Sequence, residues 1–139
     1  MQMHNVQEFF AAYERFTTSG DGSGQDQFFA SPFMSASGDG VRVLTPEQLA
    51  AAAPRMRAML DKLGRRSVSL VGLQEQQLDA HYVLTTTDWQ WHFEPDGAAA
   101  FDVTLAATHI LHRSPEGLRI VFYRSGDIFG ELRARGLIN

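Results

Sequence analysis

From Phe101 to Leu111 the chain alternates with a period of two. Phe101, Val103, Leu105, Ala107, His109 and Leu111 fall on one side, and Asp102, Thr104, Ala106, Thr108 and Ile110 on the other. A strand points successive side chains to opposite faces, so this run predicts a strand with one apolar face. Ser114-Pro115-Glu116-Gly117 reads as a turn into a second strand, Leu118 to Ser125. A histidine, His109, interrupts the apolar face at its middle. That substitution of a polar ring for an aliphatic side chain converts a plain sheet face into a candidate polar-lined pocket.

The segment before it shows the same period. Ser67 to Gln77 reads as one strand and Leu78 to Glu94 as a longer one, rich in β-branched and aromatic residues. Pro95-Asp96-Gly97 turns the chain. Trp89, Trp91 and Phe93 share a face with Val83, Thr85 and Thr87, unless a bulge between Thr85 and Trp91 swaps the faces of both tryptophans. The opposite face carries Tyr82, Asp88, Gln90, His92 and Glu94, a mostly polar set.

The first half of the chain is helical in period. Asn5 can cap a helix, with Glu8 three residues on. Val6, Phe9, Phe10, Tyr13 and Phe16 then form one aromatic stripe, and the glycines of Ser19 to Gly24 stop the helix. Gln25 to Phe29 reads as a short helical turn. Phe33 to Ser37 and Val41 to Leu44, joined by Gly38-Asp39-Gly40, read as a hairpin. Thr45-Pro46-Glu47-Gln48 opens a second helix with a cap, a proline at the first position and a capping-box glutamine. Leu49, Ala52, Ala53, Met56, Met59, Leu60 and Leu63 make its apolar stripe, and Pro54 is expected to kink or split it. A last short helix runs from Ile128 to Arg135. Helices early and long antiparallel strands late predict an α+β fold with helices on one face of the sheet.

Composition narrows the chemistry. A chain of 139 residues is expected to be one domain, residues 1–139. A net charge of −4 argues against nucleic acid, which needs a Lys/Arg surplus. The absence of cysteine removes disulfides, thiolate catalysis and Cys-ligated zinc. No apolar run reaches the roughly 20 residues of a membrane helix and no signal peptide is evident, so no membrane partner and a cytoplasmic location are expected. His109 and His112 differ by three and point to opposite strand faces, and no His-x-His pattern occurs, so no metal is expected. GDGSG at Gly20 to Gly24 lacks the Gly-Lys-Thr/Ser of a phosphate loop, and no cofactor is expected.

Two segments carry a family resemblance. AAYERFTTSGD, Ala11 to Asp21, looks like the first helix of the nuclear-transport-factor-2-like (NTF2-like) superfamily, which includes polyketide-cyclase-like and ketosteroid-isomerase-like proteins. THILHRSPEGLRIVFYRS, Thr108 to Ser125, is similar to that superfamily's closing hairpin, although Leu118 stands where most members have tryptophan. The resemblance implies a cystatin-like cone: a curved, mainly antiparallel sheet wrapped around the N-terminal helices, with a pocket in its open end. It also implies a homodimer joined through the outer sheet face.

In the same resemblance Tyr13 matches the tyrosine that donates to an enolate oxygen, and His109 falls near the second oxyanion donor. A phenol in an apolar site can stabilise developing negative charge, and an imidazole can donate a hydrogen bond or act as a base. The bland alternatives are a core tyrosine and a buried, satisfied histidine. The isomerases' base aspartate has no counterpart in Ser35-Ala36-Ser37. Asp39, nearby, is better read as a turn residue. Phe33, Met56, Met59, Trp89, Trp91 and Phe122 are candidate walls of a ligand site. Arg124, at the end of the Leu118, Ile120, Phe122 stripe, could reach a carboxylate ligand, or pair with Asp127 or Glu131.

The expected function is binding of a small apolar or carbonyl-containing molecule, anchored by Tyr13 and His109. An isomerase, cyclase or dehydratase using those two residues is the second reading. A non-catalytic homodimeric association module is the third.

Overall fold

A computed structural model of the chain describes residues 3–19 and 23–139. Gly20, Asp21 and Gly22, read above as a helix stop and as the end of a family motif, lie outside the described residues. The element order is α1 (Val6–Ser19), a single 3-10 turn (Gln25–Gln27), β1 (Phe29–Ser37), β2 (Gly40–Leu44), α2 (Pro46–Lys62), β3 (Arg65–Gln77), β4 (Tyr82–Phe93), β5 (Phe101–Ser114), β6 (Gly117–Arg124) and α3 (Ile128–Ala134).

Local chemistry sets the helix starts as expected. Asn5 Oδ1 accepts the Glu8 N–H at 3.0 Å. Thr45 and Gln48 form a reciprocal capping box, with Thr45 Oγ1 accepting the Gln48 N–H at 3.2 Å and Gln48 Oε1 accepting the Thr45 N–H at 2.9 Å. Pro54 neither ends nor splits α2, which runs unbroken from Pro46 to Lys62. Pro54 is exposed, and its missing N–H leaves only the carbonyl one turn back, on Ala50, without its helical partner.

The six strands form one curved sheet in the order β2-β1-β6-β5-β4-β3. Neighbours run antiparallel except β1 and β6, which are parallel. The β4–β5 ladder pairs without interruption from Tyr82↔His112 to Phe93↔Phe101. The alternation of β4 is therefore preserved, and Val83, Thr85, Thr87, Trp89 and Phe93 all lie on the buried inner face.

That inner face packs on α1. Phe9 and Phe10 are fully buried, as are Leu111, Leu118 and Ile120 opposite them. Each such side chain is worth about 1.5–3 kcal/mol on removal from water. Glu14 Oε2 accepts the Leu70 N–H at 2.8 Å and ties α1 to β3. A second cluster, Leu60, Phe93, Ile128 and Leu132, joins α2 and α3 to the far end of the sheet. Trp91 touches both clusters. Between them the inner face is incompletely filled.

Candidate functional site

The unfilled space is a cavity of about 140 Å³. Tyr13 and Thr17 of α1 cover it. Arg65 and Val68 of β3, Trp89 and Trp91 of β4, Leu105 and His109 of β5, Tyr123 of β6, and Ser125-Gly126 complete its wall. Most of the lining is apolar or aromatic, with hydroxyls, an imidazole and one guanidinium set into it.

Sheet geometry places these groups. Thr85, His109 and Tyr123 are cross-strand partners, so three successive strands project them at one level of the inner face. α1 adds Tyr13 from above. The His109 ring centroid lies 5.2 Å from that of Phe10, 5.8 Å from Tyr13 and 5.0 Å from Tyr123. Tyr13 and His109 are thus brought together.

Neighbouring buried polar groups are satisfied. Thr85 Oγ1 donates to the His109 carbonyl at 3.0 Å, and Trp89 Nε1 donates to Thr87 Oγ1 at 2.7 Å. His109 is the exception. It is fully buried, and neither ring nitrogen has a hydrogen-bond partner among the described residues. Burial holds its pKa down at about 3, since a charged imidazolium there would lose its hydration. The ring is neutral at physiological pH, offering one donor and one acceptor. Burial also pushes the Tyr13 phenol up, reinforced by nearby Tyr123, and pushes Tyr123 up against a hydrogen bond to Ser125. Both tyrosines therefore stay protonated.

The arrangement can accept and donate hydrogen bonds to a neutral or partly charged oxygen. It is poorly made for taking a proton. No carboxylate lines the cavity among the described residues, and an imidazole with a pKa of about 3 is a weak base.

Several expected wall residues stand elsewhere. Phe33 is buried in the core against Phe29, with ring centroids 4.5 Å apart, and does not line the cavity. Met56 and Met59 are each 45% exposed on the outer side of α2, along a shallow groove with Gln48, Ala51, Ala52 and Arg55. The apolar stripe of α2 is wider than its contact with the core, which uses Leu49 and Leu60.

Phe122 and Arg124 face the other side of the sheet. The cause is a bulge in β6: Leu111 pairs with Ile120 and Ile110 with Phe122, leaving Val121 as the extra residue. Inward parity passes from Leu118 and Ile120 to Tyr123. Arg124 is exposed; Asp127 instead caps α3 by accepting the Gly130 N–H at 2.9 Å, and Glu131 pairs with Arg135 at 3.8 Å.

Tyr123 and Arg65 were not anticipated. A second irregularity, at Arg66, turns Arg65 inward opposite Phe93, while Ser67 faces outward opposite His92. Thr17, Val68, Leu105, Ser125 and Gly126 were not named either; the β5 alternation carried the signal for Leu105, and the place one helical turn beyond Tyr13 the signal for Thr17.

The architecture recurs in solved structures. An NTF2-like protein with a cystatin-like fold from Novosphingobium aromaticivorans matches with a TM-score of 0.69 at 18% identity, over 96% of this chain and 86% of that one. Aln2 from a Streptomyces species matches at 0.69 and 19% identity, over 94% and 93%. Kfla4162 from Kribbella flavida matches at 0.70 and 12% identity, over 87% and 86%. No protein-family model and no curated protein matches the sequence. At these identities the likeness is one of fold, and the α+β, cystatin-like architecture of NTF2-like proteins is the fold of this chain.

Proposed function

We propose that the protein binds a small, one-ring molecule carrying a carbonyl or hydroxyl group. The observation that carries this reading is His109: a neutral imidazole, fully buried, with both nitrogens unpartnered among the described residues, set in the wall of an apolar cavity. An unmade hydrogen bond in such a place costs about 1–3 kcal/mol. A ligand oxygen would recover that cost, and Tyr13 and Tyr123 stand beside it as further donors. The size follows from the volume. A dry cavity of about 150 Å³ takes up one benzene, so about 140 Å³ suits a single ring and excludes a fused polycyclic body. Binding is favoured over catalysis because the lining offers donors without a matching base.

Trp89 and Trp91 lie in the wall and report occupancy by fluorescence. Titration with one-ring phenols, ketones and benzoates should give a saturable change with at least one class. That response should weaken by about tenfold or more in His109→Leu, which removes a buried hydrogen bond. A panel that leaves the tryptophans unaffected, or a His109→Leu variant that binds as the parent does, would sink the proposal. Turnover of a bound ketone, lost in both Tyr13→Phe and His109→Leu, would favour the isomerase-type reading instead.

A further inference from the structure

Arg65 is the only charged side chain in the cavity wall among the described residues. It is largely buried, with 17% of its side chain exposed. Its partner, Asp61, lies outside the cavity near the end of α2 and is 59% exposed. The contact uses one edge of the guanidinium and one carboxylate oxygen: Nε and Nη2 approach Asp61 Oδ1 at 2.9 and 2.7 Å. Nη1 has no hydrogen-bond partner among the described residues. Asp61 therefore fixes the plane of the guanidinium and leaves the Nη1/Nη2 edge uncommitted.

That edge is the one that matches a carboxylate. Two parallel N–H groups meet two oxygens in the fork arrangement that distinguishes arginine from lysine. Water screens the exposed Asp61 charge, whereas the guanidinium lies in a mostly apolar wall where an anion is held more strongly. Strand register sets Arg65 level with Phe93 and Phe101, and His109 level with Thr85 and Tyr123, with Tyr13 beside His109, so the groups that recognise oxygen without carrying charge line a different part of the wall from Arg65. Trp89, Trp91 and Leu105 supply flat apolar surface between the two polar ends.

Resting on the binding reading above, we infer that the ligand is a monocyclic carboxylate. Its carboxylate lies on the free edge of Arg65, its ring against the tryptophans, and a hydroxyl or carbonyl on the far side of the ring meets His109. Asp61 acts as a positioning residue for Arg65.

The test compares acids with their amides on the intact protein, because an amide keeps the shape and loses the charge. Benzoate, 3-hydroxybenzoate and 4-hydroxybenzoate are titrated beside benzamide and the two hydroxybenzamides, with tryptophan fluorescence or calorimetry as readout. At least one acid should bind about tenfold or more tightly than its amide, the scale of a bidentate charge-assisted contact. In Arg65→Gln the ratio should fall to about one, and in Arg65→Lys, which keeps the charge without the fork, to an intermediate value. If Arg65→Gln does not fold, the intermediate ratio in Arg65→Lys carries the test.

Equal binding of acid and amide by the parent protein would overturn the carboxylate inference and leave the binding reading standing. So would an acid preference that survives unchanged in every folded Arg65 variant. If neither acids nor amides perturb the protein while one-ring phenols or ketones do, again only the carboxylate is wrong. If nothing binds, both readings fail together.

Discussion

His109 and His92 stand on neighbouring strands, β5 and β4, and face opposite sides of one sheet. On the inner side, rings surround His109 and burial holds its pKa at about 3. On the outer side, His92 Nδ1 lies 2.6 Å from Asp102 Oδ1 and Nε2 lies 3.1 Å from Glu94 Oε1. Those hydrogen bonds, Asp102 first and Glu94 second, raise its pKa above the ordinary value. The two rings are chemically identical and the pleat alone separates their surroundings. One face of this sheet keeps an imidazole neutral and needy of a partner. The other supplies partners from its own strands and favours the charged form.

The contrast can be broken most forcefully from the inner side. Phe10 is fully buried and packs its ring on His109. Phe10→Ala should cost about 3–5 kcal/mol in urea unfolding. A loss well below that would mean the inner face is loosely packed and the cavity not a defined space.

His109→Leu should move stability the other way. It removes two buried polar atoms that have no partner, and a gain of about 1–3 kcal/mol is expected. A destabilised variant would show that the ring nitrogens are satisfied in solution.

The pH dependences of the two histidines should oppose each other. His109 takes up a proton near pH 6.5 when unfolded and only near 3 when folded. Its stability contribution is complete above about pH 6.5 and is lost as the pH falls toward 3. His92 has a raised folded pKa, so its contribution is complete below 6.5 and is lost as the pH rises through the raised value. Ring-proton NMR should show His92 titrating above pH 6.5, with His109 silent until the protein unfolds or reaches strongly acid pH. A His109 resonance that titrates at neutral pH would remove the basis of the contrast.

The smallest effect belongs to His92→Gln, because its partners are exposed and solvent screens them. The melting temperature should be indistinguishable from the parent at pH 8. A large drop there would mean that the outer face carries a structural pair rather than a solvated one.

Most of the fold was legible because local signals and periodicity agreed. Asn5 with Glu8, and Thr45 with Pro46 and Gln48, announced both long helices. The β5 alternation placed His109 inward, and the β4 alternation did the same for Trp89 and Trp91. The site was legible only where strands are regular. Of the lining residues that reading missed, Arg65 and Tyr123 lie within two residues of a one-residue irregularity, at Arg66 and at Val121. Periodicity cannot see such a step, because an extra residue inverts inside and outside without altering composition. Met56 and Met59 failed for a different reason. Helical spacing identifies an apolar stripe, but how much of it meets the core depends on where the helix sits on the sheet.

The bulge at Val121 makes β6 behave like a reading frame with a shift in it. Upstream residues are read inward in one phase, and Tyr123 in the other. A slip of one position in the distal half would return Val121 to the ladder, expel Tyr123 and bring Phe122 and Arg124 over the cavity. The same eight residues, Gly117 to Arg124, thus encode two alternative linings, one phenolic and one apolar and cationic. Insertions and deletions in this strand can exchange a whole set of lining side chains in a single step that point substitution cannot take.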